Sequence, residues 1–130
     1  MTTTPFVGVK ALTPTGWMTY IRNAPVGEMG HIEDTTDVVW TEILSWPCWF
    51  LDKKTLILEN TDKTNSLLYR VLVRVTPGEL EVEEVSQRTL PPGEKARISL
   101  NNRYARIRVE VVDVAQGDHA TVELDWIGQP

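Results

Sequence analysis

The sequence predicts an all-β protein: a two-layer antiparallel sandwich of seven to eight strands, immunoglobulin-like or jelly-roll-like, preceded by an extended amino-terminal arm. Three observations predict this class. Apolar and polar residues alternate with a period of two over most of the second half, turn signals separate the alternating runs, and no segment has a convincing helical period. The chain therefore divides into an arm, residues 1–37, and a sandwich domain, residues 38–130.

The arm is predicted from composition. Residues 1–37 hold four of the eight glycines and three of the eight prolines, and no regular period continues for more than a few residues. Apolar residues nevertheless punctuate the segment, with Phe6, Trp17 and Tyr20 among them. Such a segment either lies extended over a neighbouring molecule or forms loops and short strands that cap its own sandwich. Arms and caps share this composition, and the prediction for residues 1–37 is an extended arm.

Residues 38–51 form a Trp-rich segment that contains Trp40, Trp46 and Trp49. Pro47 excludes a continuous helix, and the β-branched and aromatic content favours a strand or two with a kink at the proline. Core packing is the usual role of a single tryptophan. Three tryptophans at positions of both parities cannot all point inward from one strand, so we expect at least one at the surface.

Beyond Asp52 the alternation becomes regular. It predicts strands over residues 55–59, 67–75, 80–85 and 95–100. A polar loop follows the first of them, and turns at residues 76–79 and 89–94 contain Pro-Gly pairs. Glutamates alternate along residues 80–85, which is typical of an exposed edge strand that resists pairing with another sheet.

The most regular part of the chain runs from Arg103 to Trp126 and predicts a β-hairpin around residues 116–118. Ile107 and Val109 share one face with Val122 and Leu124 of the partner strand. The other face carries Arg106, Arg108 and Glu110, with Glu123 and Asp125 on the partner strand, and Arg103 begins the hairpin near them. Cross-strand ion pairing explains these arginines better than a phosphate-binding patch does.

Charge and composition restrict the function. The net charge is −5, which disfavours direct binding to nucleic acid. No window approaches the roughly 18 to 20 apolar residues of a membrane helix, and the first residues lack the pattern of a secretion signal, so we expect a soluble product. Cys48 is the only cysteine, which excludes an intrachain disulfide, and its apolar neighbours suit a buried, inert thiol.

No motif in the sequence predicts catalysis. Residues 31–37 collect one histidine and three carboxylates, but their spacing matches no metal-ligand pattern and suits a solvated acidic loop. Residues 60–65 lack the glycine and the terminal glutamate of a calcium loop. Neither His31 nor His119 lies in a context that would activate a nucleophile. We therefore expect a protein that is not an enzyme, with no catalytic residue, cofactor or metal.

Part of the chain resembles a known class of protein. The strand that ends in Leu58-Glu59-Asn60, the phrase Thr89-Leu90-Pro91-Pro92-Gly93-Glu94 and the closing hairpin resemble immunoglobulin-like sandwiches among small structural proteins of tailed-bacteriophage virions, such as capsid decoration proteins. The resemblance covers residues 55–127. It implies a non-enzymatic protein on the capsid surface of a virion.

Two hypotheses about function follow from the same residues. In the first, the sandwich binds a protein lattice, such as the major capsid protein, and its own copies as a homo-oligomer, with a trimer favoured. The contact residues predicted for it are Phe6, Trp17, Tyr20, Trp40, Trp46 and Trp49. In the alternative, the protein is a carbohydrate-binding module in which two exposed tryptophans stack on sugar rings.

Overall fold

The computed structural model describes residues 17–19, 27–78 and 80–130. Within these residues the chain forms nine strands and no helix, so none of the described segments is a helix that could span a membrane. The strands are β1 (Trp17–Thr19), β2 (Gly27–Thr35), β3 (Thr41–Pro47), β4 (Lys53–Asn60), β5 (Leu67–Arg74), β6 (Val82–Leu90), β7 (Lys95–Leu100), β8 (Arg106–Asp113) and β9 (Thr121–Gln129). The predicted all-β class is confirmed.

The described strands form two antiparallel sheets that pack face to face. The five-stranded sheet has the order β1-β2-β9-β4-β7, and the four-stranded sheet has the order β3-β8-β5-β6. Most consecutive strands lie in opposite sheets, which is the arrangement of a jelly roll. The sequence predicted an immunoglobulin-like or a jelly-roll-like sandwich, and the strand order is that of the jelly roll. Seven of the nine strands come from residues 38–130, as the alternation predicted.

The predicted hairpin of residues 103–126 is wrong in its pairing, although its strands are where the alternation predicted them. β8 pairs with β3 and β5, whereas β9 pairs with β2 and β4. The inward residues of both strands, such as Val109 and Leu124, are buried as expected. A period of two specifies which side chains point inward but not which strand lies alongside. Residues 114–120 are long enough to carry the chain from one sheet to the other.

Part of the predicted arm belongs to the sandwich. β2 lies between β1 and β9, and its residues from Glu28 to Thr35 pair with β9 in continuous register. Only Ile32 among its inward positions is a large aliphatic residue, so this strand lacks the apolar alternation that identifies the others. Residues 1–16 and 20–26, which make up most of the predicted arm, lie outside the described residues, and the arm stays a prediction for them.

The core lies between the two sheets and is filled by aliphatic residues around a tryptophan pair. The ring centroids of Trp46 on β3 and Trp126 on β9 are 6.2 Å apart. A β-bulge between Glu42 and Leu44 turns both Ile43 and Leu44 inward, and each is 6% exposed. Pro47 is the last residue of β3, so the strand ends where the break at the proline was expected, and the bulge is a separate irregularity earlier in the strand.

Two polar side chains at the ends of β4 fix the loops of the sandwich. Lys54 points inward and is 1% exposed, and its Nζ donates hydrogen bonds to the carbonyl oxygens of Leu51 at 2.8 Å and Asn102 at 2.6 Å. Asn60, at the other end, donates from Nδ2 to the carbonyl oxygens of Asn65 and Leu90, each at 2.9 Å. The loop that Lys54 holds also carries Trp49, so this buried lysine supports an exposed surface.

Candidate interaction surfaces

Trp46 belongs to the core. It is 4% exposed, and its Nε1 donates a hydrogen bond of 2.7 Å to Glu28 Oε1. Burial raises the pKa of Glu28, and the hydrogen bond from Trp46 opposes part of that rise. The prediction that Trp46 contacts a partner does not fit this environment, because a buried core side chain presents no area to another molecule.

The other two tryptophans of the Trp-rich segment lie nearer the surface. Trp40 is half-buried beneath the guanidinium of Arg70, 4.2 Å from its ring centroid. Trp49 is 66% exposed and meets Phe50 edge to face, with 5.6 Å between ring centroids. At least one of the three tryptophans is therefore at the surface, as expected.

The remaining predicted contact residues cannot be compared with the structure in the same way. Phe6 and Tyr20 lie outside the described residues. Trp17 lies in β1, where the backbone is described and pairs opposite Met29. Their role as partner contacts stays a prediction.

Trp49 borders an amphipathic cleft at one end of the sandwich. The cleft has a volume of about 520 Å³ and is lined by Trp49, Arg74, Pro77, Ala105 and Arg106. The loop that carries Pro77 also exposes Val75 and Leu80, which are 60% and 86% exposed. We call the cleft and these two loop residues the Trp49 end.

The arginines of the Trp49 end differ in their bonding. Arg106 donates from Nη1 to Ser45 Oγ at 2.7 Å, whereas Arg74 Nε is buried and has no hydrogen-bond partner among the described residues. A buried donor without a partner carries a desolvation penalty of roughly 1 to 3 kcal/mol. Tryptophan and arginine are enriched in protein–protein hot spots, and exposed aliphatic surface beside them is typical of interaction sites.

The outer face of the four-stranded sheet is covered by an ion-pair network. Arg108 reaches Glu42 at 2.6 Å, Glu81 at 2.7 Å and Glu110 at 2.5 Å, and Arg70 reaches Glu110 at 2.6 Å. The hydrogen bond with Glu81 is the largest influence that raises the pKa of Arg108. The charged side chains of this network are paired with one another, which leaves them little to gain from a charged partner.

The predicted arginine pairs are only partly correct. Arg108 does pair with Glu110, but Glu123 and Asp125 lie on β9 in the other sheet, where their neighbour is His31. Arg103 pairs with Asp52 instead. The error follows directly from the wrong hairpin, because ion pairs were assigned to strands that are not adjacent.

The outer face of the five-stranded sheet carries a row of glutamates. Glu33 on β2 is directly opposite Glu123 on β9, which is directly opposite Glu59 on β4. Like charges opposite one another on neighbouring strands are destabilising. Among the described residues, no lysine or arginine is ion-paired with any of the three. We call these residues the acidic row.

His31 lies beside the acidic row and is surrounded by carboxylates. Its Nε2 is 3.1 Å from Glu33 Oε2 and 3.8 Å from Glu123 Oε1, and its Nδ1 contacts Asp125. The hydrogen bond with Asp125, followed by the one with Glu33, raises the pKa of His31. The sequence predicted a solvated acidic loop at residues 31–37. Residues 31–35 instead belong to strand β2, and Glu123 and Asp125 of β9 lie beside them on the outer face.

His31, Glu33 and Glu123 could also hold a divalent metal. Their ligand atoms all lie within 4.8 Å of one another. Neighbouring donors around a tetrahedral metal with bonds of about 2.1 Å are roughly 3.4 Å apart, and His31 Nε2 is 3.1 Å from the Glu33 oxygen and 3.8 Å from the Glu123 oxygen. The Asp125 carboxylate on Nδ1 resembles the outer partner that orients a metal-binding imidazole. A metal would replace the proton on Nε2.

An apolar groove adjoins the acidic row on the same face. It has a volume of about 390 Å³ and includes Met29, Ile57 and Ile127, which are 39%, 38% and 41% exposed. Gly30 and Trp126 form part of its wall. The groove therefore joins exposed aliphatic surface to a face on which carboxylates outnumber the basic side chains beside them, His31 and, opposite Glu59, Lys95.

The remaining reactive groups have structural surroundings. Cys48 is fully buried, and burial is the main cause that raises its thiol pKa to about 11. His119 contacts Asp113, which accepts a hydrogen bond of 2.6 Å from Thr36. Among the described residues, neither histidine is hydrogen-bonded to a serine, threonine or cysteine side chain, so the geometry forms no nucleophile–base pair.

The acidic row and the apolar groove were missed at the level of sequence. The alternation predicts Glu123 on a wet face, but the line of Glu59, Glu123 and Glu33 depends on β4 and β2 lying on either side of β9. A signal was present in the charges: all 18 acidic residues lie at or after Glu28.

Comparison with known proteins supports the fold. No family model matches the sequence, and no curated protein matches it. A chain of the Bacillus endospore appendages, a family of disulfide-linked pili, is 13% identical over 92% of this chain and 96% of its own, with a TM-score of 0.55. Chains of infectious bursal disease virus (Gx strain) and Staphylococcus aureus CapF, a capsular polysaccharide assembling protein, have TM-scores of 0.43 and 0.37 at 13% and 9% identity.

The last two matches are partial. They cover 95% and 94% of this chain but 36% and 28% of the matched chains. The appendage protein is covered over 96% of its length, so the similarity in fold extends over nearly all of that protein. Disulfide linkage is described for those pili, whereas the single cysteine of this chain is buried.

Proposed function

We propose that the protein is a non-enzymatic structural subunit that assembles with its own copies and binds a protein lattice. In its specific form it is a capsid decoration protein on the outer surface of a virion, bound to the major capsid protein, with a trimer as the favoured oligomer. The N-terminal segment and the Trp49 end make the contacts.

The Trp49 end is the observation that carries this proposal. Three exposed apolar side chains, Trp49, Val75 and Leu80, lie at the same end of the sandwich as two arginines. Exposed apolar surface of this kind marks interaction sites in soluble proteins. The fold is compatible with assembly, since the Bacillus protein that shares it belongs to a pilus.

The carbohydrate-binding alternative has less support among the described residues. It needs two exposed tryptophans on one platform. Of the four tryptophans whose side chains are described, Trp49 is exposed, Trp40 is stacked under Arg70, and Trp46 and Trp126 are buried.

Self-association tests the proposal. Sedimentation velocity of the full chain over a wide concentration range is expected to give a closed oligomer, with Trp49→Ala weakening it about 30-fold because loss of a tryptophan hot spot costs roughly 2 kcal/mol. Val39→Ala is the matched control, since Val39 is 63% exposed at the opposite end of the sandwich.

Two outcomes would contradict the proposal. A wild-type chain that stays monomeric at every concentration would refute self-assembly. Equal association of the Trp49→Ala and Val39→Ala variants would remove the Trp49 end from the interface. Immunoblotting of purified virions tests the capsid role separately. The protein should be detected in the particles, and its absence would contradict this role.

A further inference from the structure

The charges of this chain are divided unequally along the sequence. Lys10 and Arg22 are the only charged side chains before Glu28, and all 18 acidic residues lie from Glu28 onward. The segment that precedes the sandwich is therefore basic and apolar, while the sandwich is acidic. Opposite charges on two parts of one chain favour contact between them, either within a molecule or between molecules.

The acidic row supplies a specific place for that contact. Glu33, Glu123 and Glu59 cross three neighbouring strands in register, and Asp125 adds a fourth carboxylate next to them. Among the described residues, His31 is the basic side chain that contacts Glu33 and Glu123, and Lys95 on β7 lies directly opposite Glu59 without forming an ion pair with it. A lysine from elsewhere would relieve the repulsion among these carboxylates.

The apolar groove supplies the second part of the site. Met29, Ile57 and Ile127 expose aliphatic surface beside the carboxylates. The segment before Trp17 offers matching chemistry, with Phe6, Val7 and Val9 directly before Lys10. An extended peptide would bury its apolar side chains in the groove and direct the lysine toward the acidic row.

The connection to β1 favours a neighbouring molecule as the source of this peptide. β1 lies at the edge of the five-stranded sheet, so the preceding residues start from that edge and not from above its outer face. Sixteen residues can span about 50 Å when extended, whereas a nine-residue strand of the sandwich is about 30 Å long. The segment is long enough to pass its own body and reach another.

We infer that the outer face of the five-stranded sheet, formed by the apolar groove and the acidic row, is the docking site for residues 1–16 of a second copy of this chain. This inference rests on the proposed function, because it names where the N-terminal segment binds during self-assembly. It adds a site that is separate from the Trp49 end.

Charge reversal in full-length protein tests the inference. Lys10→Glu and Glu123→Lys should each weaken self-association about tenfold or more, because each places like charges together in the contact. Glu84→Lys is the matched control: it makes the same charge change at an exposed position on β6, in the other sheet. Its association should equal that of the wild type.

Mixing the two variants provides the decisive measurement. A Lys10→Glu chain and a Glu123→Lys chain should associate with each other more tightly than either does with itself, because the reversed segment then meets a reversed face. Fluorescence anisotropy of one labelled variant titrated with the other measures this recovery. Recovery would establish that the contact joins two molecules.

Other outcomes would overturn the inference in distinguishable ways. A wild-type oligomer that is unaffected by both reversals refutes the docking site and leaves the Trp49 end as the interface, whereas a monomeric wild type refutes the proposed function itself. If Lys10→Glu lowers thermal stability without changing association, residues 1–16 contact the sandwich of their own molecule and not that of a second copy. If association requires added Zn²⁺ and is abolished by a chelator, the contact at this face is made through a metal bound at His31 and not by the docked segment.

Discussion

Lys54 occupies an inward position on β4, in line with Leu56 and Leu58, where the alternation would place an aliphatic residue. Burial lowers its pKa, yet its ammonium group donates to three carbonyl oxygens, those of Leu51, Asp52 and Asn102. Tyr104 lies 5.5 Å away under the charge. The three donors of the lysine are thus matched by three acceptors in two loops, which offsets the cost of burying the charge.

Replacing this lysine should therefore be costly. We expect Lys54→Ala to lower the free energy of unfolding by about 3 to 5 kcal/mol, because it leaves a cavity and removes the partners of buried carbonyls. Lys53→Ala, one residue earlier and exposed, should change it by less than about 0.5 kcal/mol. Urea unfolding followed by tryptophan fluorescence measures both, and similar midpoints would contradict the role assigned to Lys54.

At the scale of the element, β2 and β9 fit together through a large residue opposite a small one. Gly30 pairs directly with Trp126, and a Cβ at Gly30 would overlap the indole ring. The same device recurs at Gly128, where a Cβ would lie 2.8 Å from the ring of Trp46. The two indoles of the core therefore lie over backbone that has no side chain, and the glycines fix where the tryptophans can be placed.

A methyl group at position 30 tests this fit. Gly30→Ala should destabilise the protein by about 1 to 3 kcal/mol, because the buried ring of Trp126 must move. Gly78→Ala is a control at an open position, where the nearest atom to a new Cβ is Thr76 Oγ1 at 3.5 Å. In the double variant Gly30→Ala/Trp126→Leu the two effects should not add, with a coupling of at least about 0.5 kcal/mol. Strict additivity would show that the ring and the methyl group do not compete.

The same pair explains why β2 could not be predicted from the sequence. Its inward positions are occupied by Glu28, Gly30 and Ile32, so the alternation of apolar residues that identified β5 and β9 is absent. The bulk that fills the space above Gly30 comes from β9. Because Trp126 of β9 supplies the apolar side chain that covers this part of β2, the sequence of β2 itself lacks the apolar alternation by which a strand is predicted.

At the scale of the whole molecule, the faces of the strands were predictable and their neighbours were not. Val109 and Leu124 are buried as the period of two predicted, but they enter the core from opposite sheets instead of lying side by side in one sheet. The candidate site shared this limit. Trp49 could be expected at the surface from local sequence, whereas the acidic row exists only because β2, β9 and β4 are adjacent.

The two sheets are tied together at the end opposite Trp49 by a buried polar cluster. Thr36, which follows β2, donates from Oγ1 to Asp113 Oδ1 at 2.6 Å, at the end of β8. Thr36 Oγ1 in turn accepts from the Ala120 N–H at 2.8 Å, and His119 contacts the same carboxylate at 3.0 Å. Asp113 is thus the acceptor that joins the five-stranded sheet, the four-stranded sheet and the crossing loop.

This cluster predicts an acid-dependent contribution to stability. Burial raises the pKa of Asp113, but the hydrogen bonds from Thr36, His119 and the Gly117 N–H outweigh that effect and hold the pKa below its ordinary value. A carboxylate with a lowered pKa stabilises the folded state fully above the unfolded pKa of about 3.9, and this stabilisation is lost as the pH falls through the folded value. The two sheets should therefore loosen in acid through this residue.

Asp113→Asn isolates that contribution because it keeps the shape and removes the charge. At neutral pH the free energy of unfolding of the variant should be about 1.5 to 3 kcal/mol lower than that of the wild type, which is the usual contribution of a hydrogen bond to a charged group. The difference from the wild type should shrink as the pH falls below about 4, since the wild-type carboxylate is then protonated as well. Asp118→Asn, in the same loop but exposed, should follow the wild-type curve. If the gap between Asp113→Asn and the wild type stays constant down to the lowest pH, the buried charge is not what joins the sheets.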